Sequence, residues 1–224
     1  MATTTPTADV HPLPTTSLVH PGPRPPAFGR WFARTMLKLM GWQAVGGMPT
    51  VPKALFVASP HTTLWDGPIM IFVAWTLGVR LSFITKQEAL RFPFKTFVTY
   101  FGGIGVNRSK SSDMVTQVAE SFAAADGMYL AVAPDGTRKK ADHWRSGFYH
   151  MARKANVPLV LGFLDYKQKR GGILGEYTLT GDVKRDMDHL RAVYANVQGK
   201  YPAQHSAIRL LAEDEAAQAA PAAR

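Results

Sequence analysis

The chain has 224 residues, 46% of them hydrophobic and 19% charged, which suits one globular domain with a sizeable core once its polar ends are set aside. It holds no cysteine, which excludes disulfides, Cys-ligated zinc and a thiol nucleophile. The formal net charge of +10 leaves three anionic partners open: nucleic acid, acidic lipid headgroups and polyanionic cofactors.

Residues 1–26 carry seven prolines among Thr, Ser and His, with no Lys or Arg before Arg24. Such a segment cannot bury a core and reads as a disordered arm. It also lacks the basic start and apolar stretch of a signal peptide. Over 27–42, Phe28, Trp31, Phe32, Met36, Leu39 and Met40 follow helical spacing, and Arg30, Arg34 and Lys38 share another face. Two readings fit this amphipathic helix: it lies in a membrane interface, or it packs on the core with a solvated face. The apolar run Gly67–Val79 stops at 13 residues, short of the roughly 18 that a membrane span needs.

Strands are expected at 54–59, 81–86, 103–107, 129–133 and 158–166. Helices are expected at 67–77, 111–125, 142–156 and 186–201. This alternation predicts a single α/β domain over 27–211, a largely parallel sheet flanked by helices, with a polar tail at 212–224. Functional groups are then expected at the strand C-termini.

Four segments stand out. The first, Ser59-Pro60-His61-Thr62-Thr63-Leu64-Trp65-Asp66-Gly67-Pro68, joins a strand to a helix. There a His can act as a base, with an Asp accepting the proton on its other ring nitrogen. Seven His and eleven Asp make this spacing expected by chance about 0.3 times, and a turn-capping His beside a helix-capping Asp would look the same. The second, Phe101-Gly102-Gly103-Ile104-Gly105-Val106-Asn107-Arg108, ends on a cation and is not a dinucleotide fingerprint. The third, Pro134-Asp135-Gly136-Thr137-Arg138-Lys139-Lys140, sets a carboxylate and three cations in a turn after a strand. Its Arg138 offers a fork matched to phosphate oxygens. The fourth, Asn156-Val157-Pro158-Leu159-Val160, is a helix exit into an apolar strand. Asp186, Asp188 and His189 lie together, but at a helix start they are expected to serve its dipole rather than a metal.

In this order and separation the four segments resemble the PlsC-like family of glycerolipid (lysophospholipid) acyltransferases, over about 61–166. That resemblance implies an O-acyltransferase with no permanently bound cofactor, acyl-CoA or acyl-ACP as co-substrate, and a lysophospholipid-like acceptor carrying phosphate. It implies His61 as general base and Asp66 as its orienting partner. It assigns Arg108 and Arg138 to the acceptor phosphate, and Asp135, Gly136 and Thr137 to substrate binding. The implied setting is cytoplasmic, peripheral on the inner face of the membrane through 27–42, with no nucleic-acid partner.

The sequence departs from the family pattern twice: Asp135 stands where Glu is usual, and Asn107 where Asp is frequent. Asp is one methylene shorter, which displaces a contact by about 1.5 Å. The stretch from Gly136 through Trp144-Arg145-Ser146-Gly147-Phe148-Tyr149-His150 resembles a small offshoot of the family. Two other functions stay open: a thioesterase or hydrolase that uses the same His61–Asp66 pair with water as acceptor, and a basic lipid-binding module that would use the cationic charge and the amphipathic helix.

Overall fold

The computed structural model describes residues 23–86, 102–106 and 111–214. In chain order it contains α1 (Ala27–Leu39), β1 (Gln43–Val45), β2 (Lys53–Ala58), α2 (Asp66–Thr76), β3 (Leu81–Lys86), β4 (Gly103–Val106) and α3 (Ser111–Ala124). There follow β5 (Met128–Val132), α4 (Gly147–Ala155), β6 (Leu159–Asp165), β7 (Arg170–Tyr177) and α5 (Val183–Tyr194). The described strands form one seven-stranded sheet in the order β1-β7-β6-β2-β5-β3-β4. Every neighbouring pair is parallel except β6 with β7.

The alternation along β2 builds two cores. Leu55 and Val57 face a cluster with Phe148 and Met151 of α4 and Met187 and Leu190 of α5. Ala54 and Phe56 point the other way, toward Ala74 of α2 and Tyr129 of β5. α1 joins that second layer, where Leu37 packs with Ile69 and Val73 of α2. All seven residues of β6 are buried, as befits a strand covered on both faces. Each fully buried Leu or Val here contributes roughly 1.5–3 kcal/mol of transfer free energy.

Two elements escaped the sequence pattern. β7 holds Gly171, Gly172 and Gly175, which break the strand signal. The gap is put to use: a Cβ on Gly172 would stand 1.7 Å from the Val45 carbonyl oxygen, so β1 can pair only against glycine. Two predicted helices are shorter than expected. The backbone N–H groups of Trp144 and Arg145 donate to the carbonyls of Arg209 and Pro134, both at 2.8 Å, which holds 142–146 outside α4. α4 ends on Asn156 in the left-handed region (φ 51°), a conformation Asn tolerates, and Pro158 then turns the chain into β6. α5 begins at Val183, where the Asp182 carboxylate accepts from the Arg185 N–H, and ends at Tyr194 instead of 201. Beyond it the Gln198 carbonyl is committed to the Tyr166 N–H at 2.8 Å.

Asp186 does more than face a helix dipole. It is fully buried and accepts from the Tyr149, Tyr177 and Thr180 hydroxyls, each at 2.7 Å, and from the Thr180 and Gly181 N–H groups. Burial pushes its pKa up, but the Thr180, Tyr149 and Tyr177 donors outweigh that and hold it below the usual value. One carboxylate thus ties α4, β7 and α5 together. Its neighbours are engaged elsewhere: Asp188 pairs with Lys184 and Arg191, and His189 stacks on Tyr177.

Candidate active site

The parallel strands run so that β2, β5 and β6 all deliver their C-termini to one edge of the sheet. β2 leads through a cis Ser59–Pro60 peptide to His61. Asp66 opens α2, buried to 4% exposure, and its Oδ2 lies 3.1 Å from His61 Nδ1. The same oxygen accepts from the Thr62 and Thr63 N–H groups at 2.8 and 2.9 Å. The other oxygen accepts from the Tyr166 hydroxyl at 2.6 Å, just past the end of β6. Burial raises the Asp66 pKa, yet the bonds from His61, Tyr166, Thr63 and Thr62 more than offset it, and the net shift is downward. Asp66 is therefore an anion at neutral pH. An anion at Nδ1 makes that nitrogen the donor and leaves Nε2 with a lone pair. His61 itself stays 27% exposed, so Nε2 can meet a substrate.

β5 delivers the third segment. Asp135 is buried to 4% exposure, and its Oδ2 has no hydrogen-bond partner among the described residues. Burial pushes its pKa up, against the opposing pull of the Ser206 hydroxyl, the His61 backbone N–H and the positive charge that His61 carries when protonated. The carboxyl predicted to bind substrate thus sits beneath the His61 loop. Gly136 (φ 63°), Thr137 and Arg138 are exposed beside it. Arg108 and Asn107 lie outside the described residues.

The segment after α5 braces both loops, which the sequence did not announce. The Tyr201 N–H donates to Thr62 Oγ1 at 3.3 Å. With its amide nitrogen turned inward, Gln204 donates to the carbonyls of Arg138 and Thr62 at 2.8 and 3.0 Å. Ser206 Oγ accepts from the Ala141 N–H. Tyr166 was likewise missed as a site residue: it lies 100 positions from Asp66, and only the fold brings them together.

Two cavities meet at His61. One, of about 750 Å³, runs between α1, α2 and the sheet and is lined chiefly by apolar side chains, among them Phe28, Phe32, Met70, Phe72 and Trp75. The other, of about 660 Å³, carries Thr137, Arg138 and Arg145 against Phe148 and Met151. Both fall in the size range of small-molecule sites. Among the described residues no group of three His, Asp or Glu side chains is placed to hold a metal ion.

An imidazole held by a buried carboxylate lies between an apolar and a cationic cavity, which suits a substrate with a long apolar part and an anionic one. A family model for Acyltransferase matches residues 44–160, more than half of the chain. The chain belongs to the Acyltransferase family. The fold of this acyltransferase is similar to the crystal structure of the 1-acyl-sn-glycerophosphate (LPA) acyltransferase, PlsC, from Thermotoga maritima. The TM-score is 0.54 at 16% identity, and the match covers 75% of this chain and 78% of that one. No curated protein matches the sequence. The predicted α/β class and the acyltransferase family are therefore both found, in a fold similar to that of PlsC. No described helix of the acyltransferase is long and apolar enough to cross a membrane.

Proposed function

We propose that the chain moves a fatty acyl group from a thioester donor, acyl-CoA or acyl-ACP, to the hydroxyl of a phosphate-bearing glycerolipid such as 1-acyl-glycerol-3-phosphate. The observation that carries this is the His61–Asp66 pair at the junction of an apolar cavity and an arginine-bearing one whose described lining holds no carboxylate. His61 Nε2 takes the acceptor proton as the hydroxyl oxygen attacks the thioester carbonyl carbon. The tetrahedral adduct collapses with loss of the C–S bond, and the imidazolium returns the proton to the leaving thiolate. Asp66 stabilises the imidazolium between these steps. The apolar cavity takes the acyl chain.

The test is product identification. Labelled acyl-CoA or acyl-ACP is incubated with a panel of lysolipids and the product is identified by mass. A diacyl phospholipid that forms only when a lysophospholipid is present is expected. Equal release of free fatty acid with and without acceptor would make the chain a hydrolase instead.

Membrane attachment belongs to the same proposal. One face of α1 packs on the core, and its other face supports the interfacial reading. Gly29, Ala33 and Leu37 are buried, with Gly29 against the Trp75 ring, while Phe28 and Trp31 remain 69% and 61% exposed. Phe28 and Phe32 also line the apolar cavity, and Arg34 and Lys38 are exposed nearby in sequence. An exposed aromatic face with cations suits the interface of an anionic leaflet, here the inner face of the membrane. Replacing Phe28 and Trp31 by Ser is expected to weaken co-sedimentation with phosphatidylglycerol vesicles by about tenfold or more, since burying each ring is worth roughly 1.5–3 kcal/mol. Undiminished binding would remove α1 from that role.

A further inference from the structure

We infer that Arg145, outside the four segments whose order and spacing carry the family resemblance, is a further cation beside Arg138 for the acceptor's phosphate monoester and sets the preference for phosphate-bearing over neutral acceptors. The inference rests on the acyltransferase reading of the site.

Arg145 lies in the connection before α4, and its N–H is fixed to the Pro134 carbonyl at 2.8 Å. Its side chain crosses the Gly136 turn. A Cβ on Gly136 would stand 2.5 Å from both Cδ and Nε of Arg145. The glycine of the third segment is therefore the seat of this arginine as well as a turn residue at positive φ. The seat places Arg145 on the wall between a neighbouring cavity that holds Asp135 and Asp142 and the one that already holds His61 and Arg138.

The charge balance of that cavity points to its ligand. Its described lining holds two arginines and a histidine and no carboxylate. Among the described residues neither guanidinium has a hydrogen-bond or ion-pair partner, whereas Arg191, outside the cavity, is paired to two carboxylates. Two unpaired guanidinium groups in one concavity match a phosphate monoester, whose oxygens outnumber what one fork can satisfy. Thr137, in the same lining, adds a hydroxyl.

Phosphates come from two sources in this reaction, the acceptor and the coenzyme A donor, and the test separates them. Binding of glycerol 3-phosphate, glycerol and coenzyme A is measured by calorimetry on the wild type, Arg145→Ala and Arg145→Lys. Arg145→Ala is expected to weaken glycerol 3-phosphate at least about tenfold and to leave coenzyme A within about twofold. Arg145→Lys should recover part of the loss, because it keeps the charge without the fork. In turnover, the KM for lysophosphatidate should rise by a similar factor, with kcat and the KM for a monoacylglycerol nearly unchanged. Unaltered glycerol 3-phosphate binding, or a loss confined to coenzyme A, overturns the assignment. The binding measurement decides Arg145 whether or not lysophosphatidate proves to be the acceptor. Failure of the wild type to acylate lysophosphatidate would instead count against the proposed function.

Discussion

His61→Ala is expected to reduce acyl transfer by about 10²–10⁴-fold, the usual contribution of a positioned general base, while the folded state survives. The imidazole is partly exposed, and its one hydrogen bond within the described residues goes to Asp66. Removing it leaves Asp66 with three donors, from Thr62, Thr63 and Tyr166, so no buried charge is orphaned. Circular dichroism and the thermal midpoint should therefore stay close to wild type. Acceptor affinity should also stay, since His61 acts on the proton in flight rather than on the bound headgroup. A variant that keeps more than about a tenth of the rate would show that another group takes the proton.

The sequence made the layered α/β fold legible because its strands are short apolar runs between helical patterns. β7 was lost because glycines carry it, and β1 because three residues are too few to show a period. The site was half legible for a similar reason. His61 and Asp66 lie five positions apart, so one loop sets their geometry. Gly136, Thr137 and Arg138 follow a strand end that the pattern located. What the pattern cannot reach is contact between distant segments. Tyr166 on Asp66 and Gln204 against the carbonyls of Thr62 and Arg138 exist only because the fold brings the ends of β2, β5 and β6 and the segment after α5 to one edge of the sheet. The short carboxyl at Asp135 shows the same limit. From sequence it is a shortened substrate contact; in the fold it is buried under the His61 loop, with one oxygen unpartnered among the described residues.

Asp66→Asn separates the charge of Asp66 from its shape. In the native site Oδ2 takes three donors and Oδ1 takes one, from a hydroxyl that can rotate. An Asn placed with its oxygen at the Oδ2 position keeps the His61, Thr62 and Thr63 bonds. Its amide then faces Tyr166, whose hydroxyl turns its hydrogen away and accepts. The loop and the imidazole orientation are preserved, and only the negative charge beside the imidazolium is lost. A charge-assisted hydrogen bond contributes roughly 1.5–3 kcal/mol. At about 1.36 kcal/mol per tenfold, kcat should fall about 10- to 150-fold with the acceptor KM nearly constant. A kcat within twofold of wild type would reduce Asp66 to a loop brace. Asp66→Ala must do worse in both respects, because it also strands the Thr62 and Thr63 N–H groups in the interior. The same comparison has a pH signature. The folded pKa of Asp66 lies below its ordinary 3.8, so its carboxylate stabilises the fold above that value and loses this contribution as pH falls through the lower, folded pKa. Acid titrations of the thermal midpoint should show wild type losing stability below about pH 4 more steeply than Asp66→Asn, which has no proton to take up there.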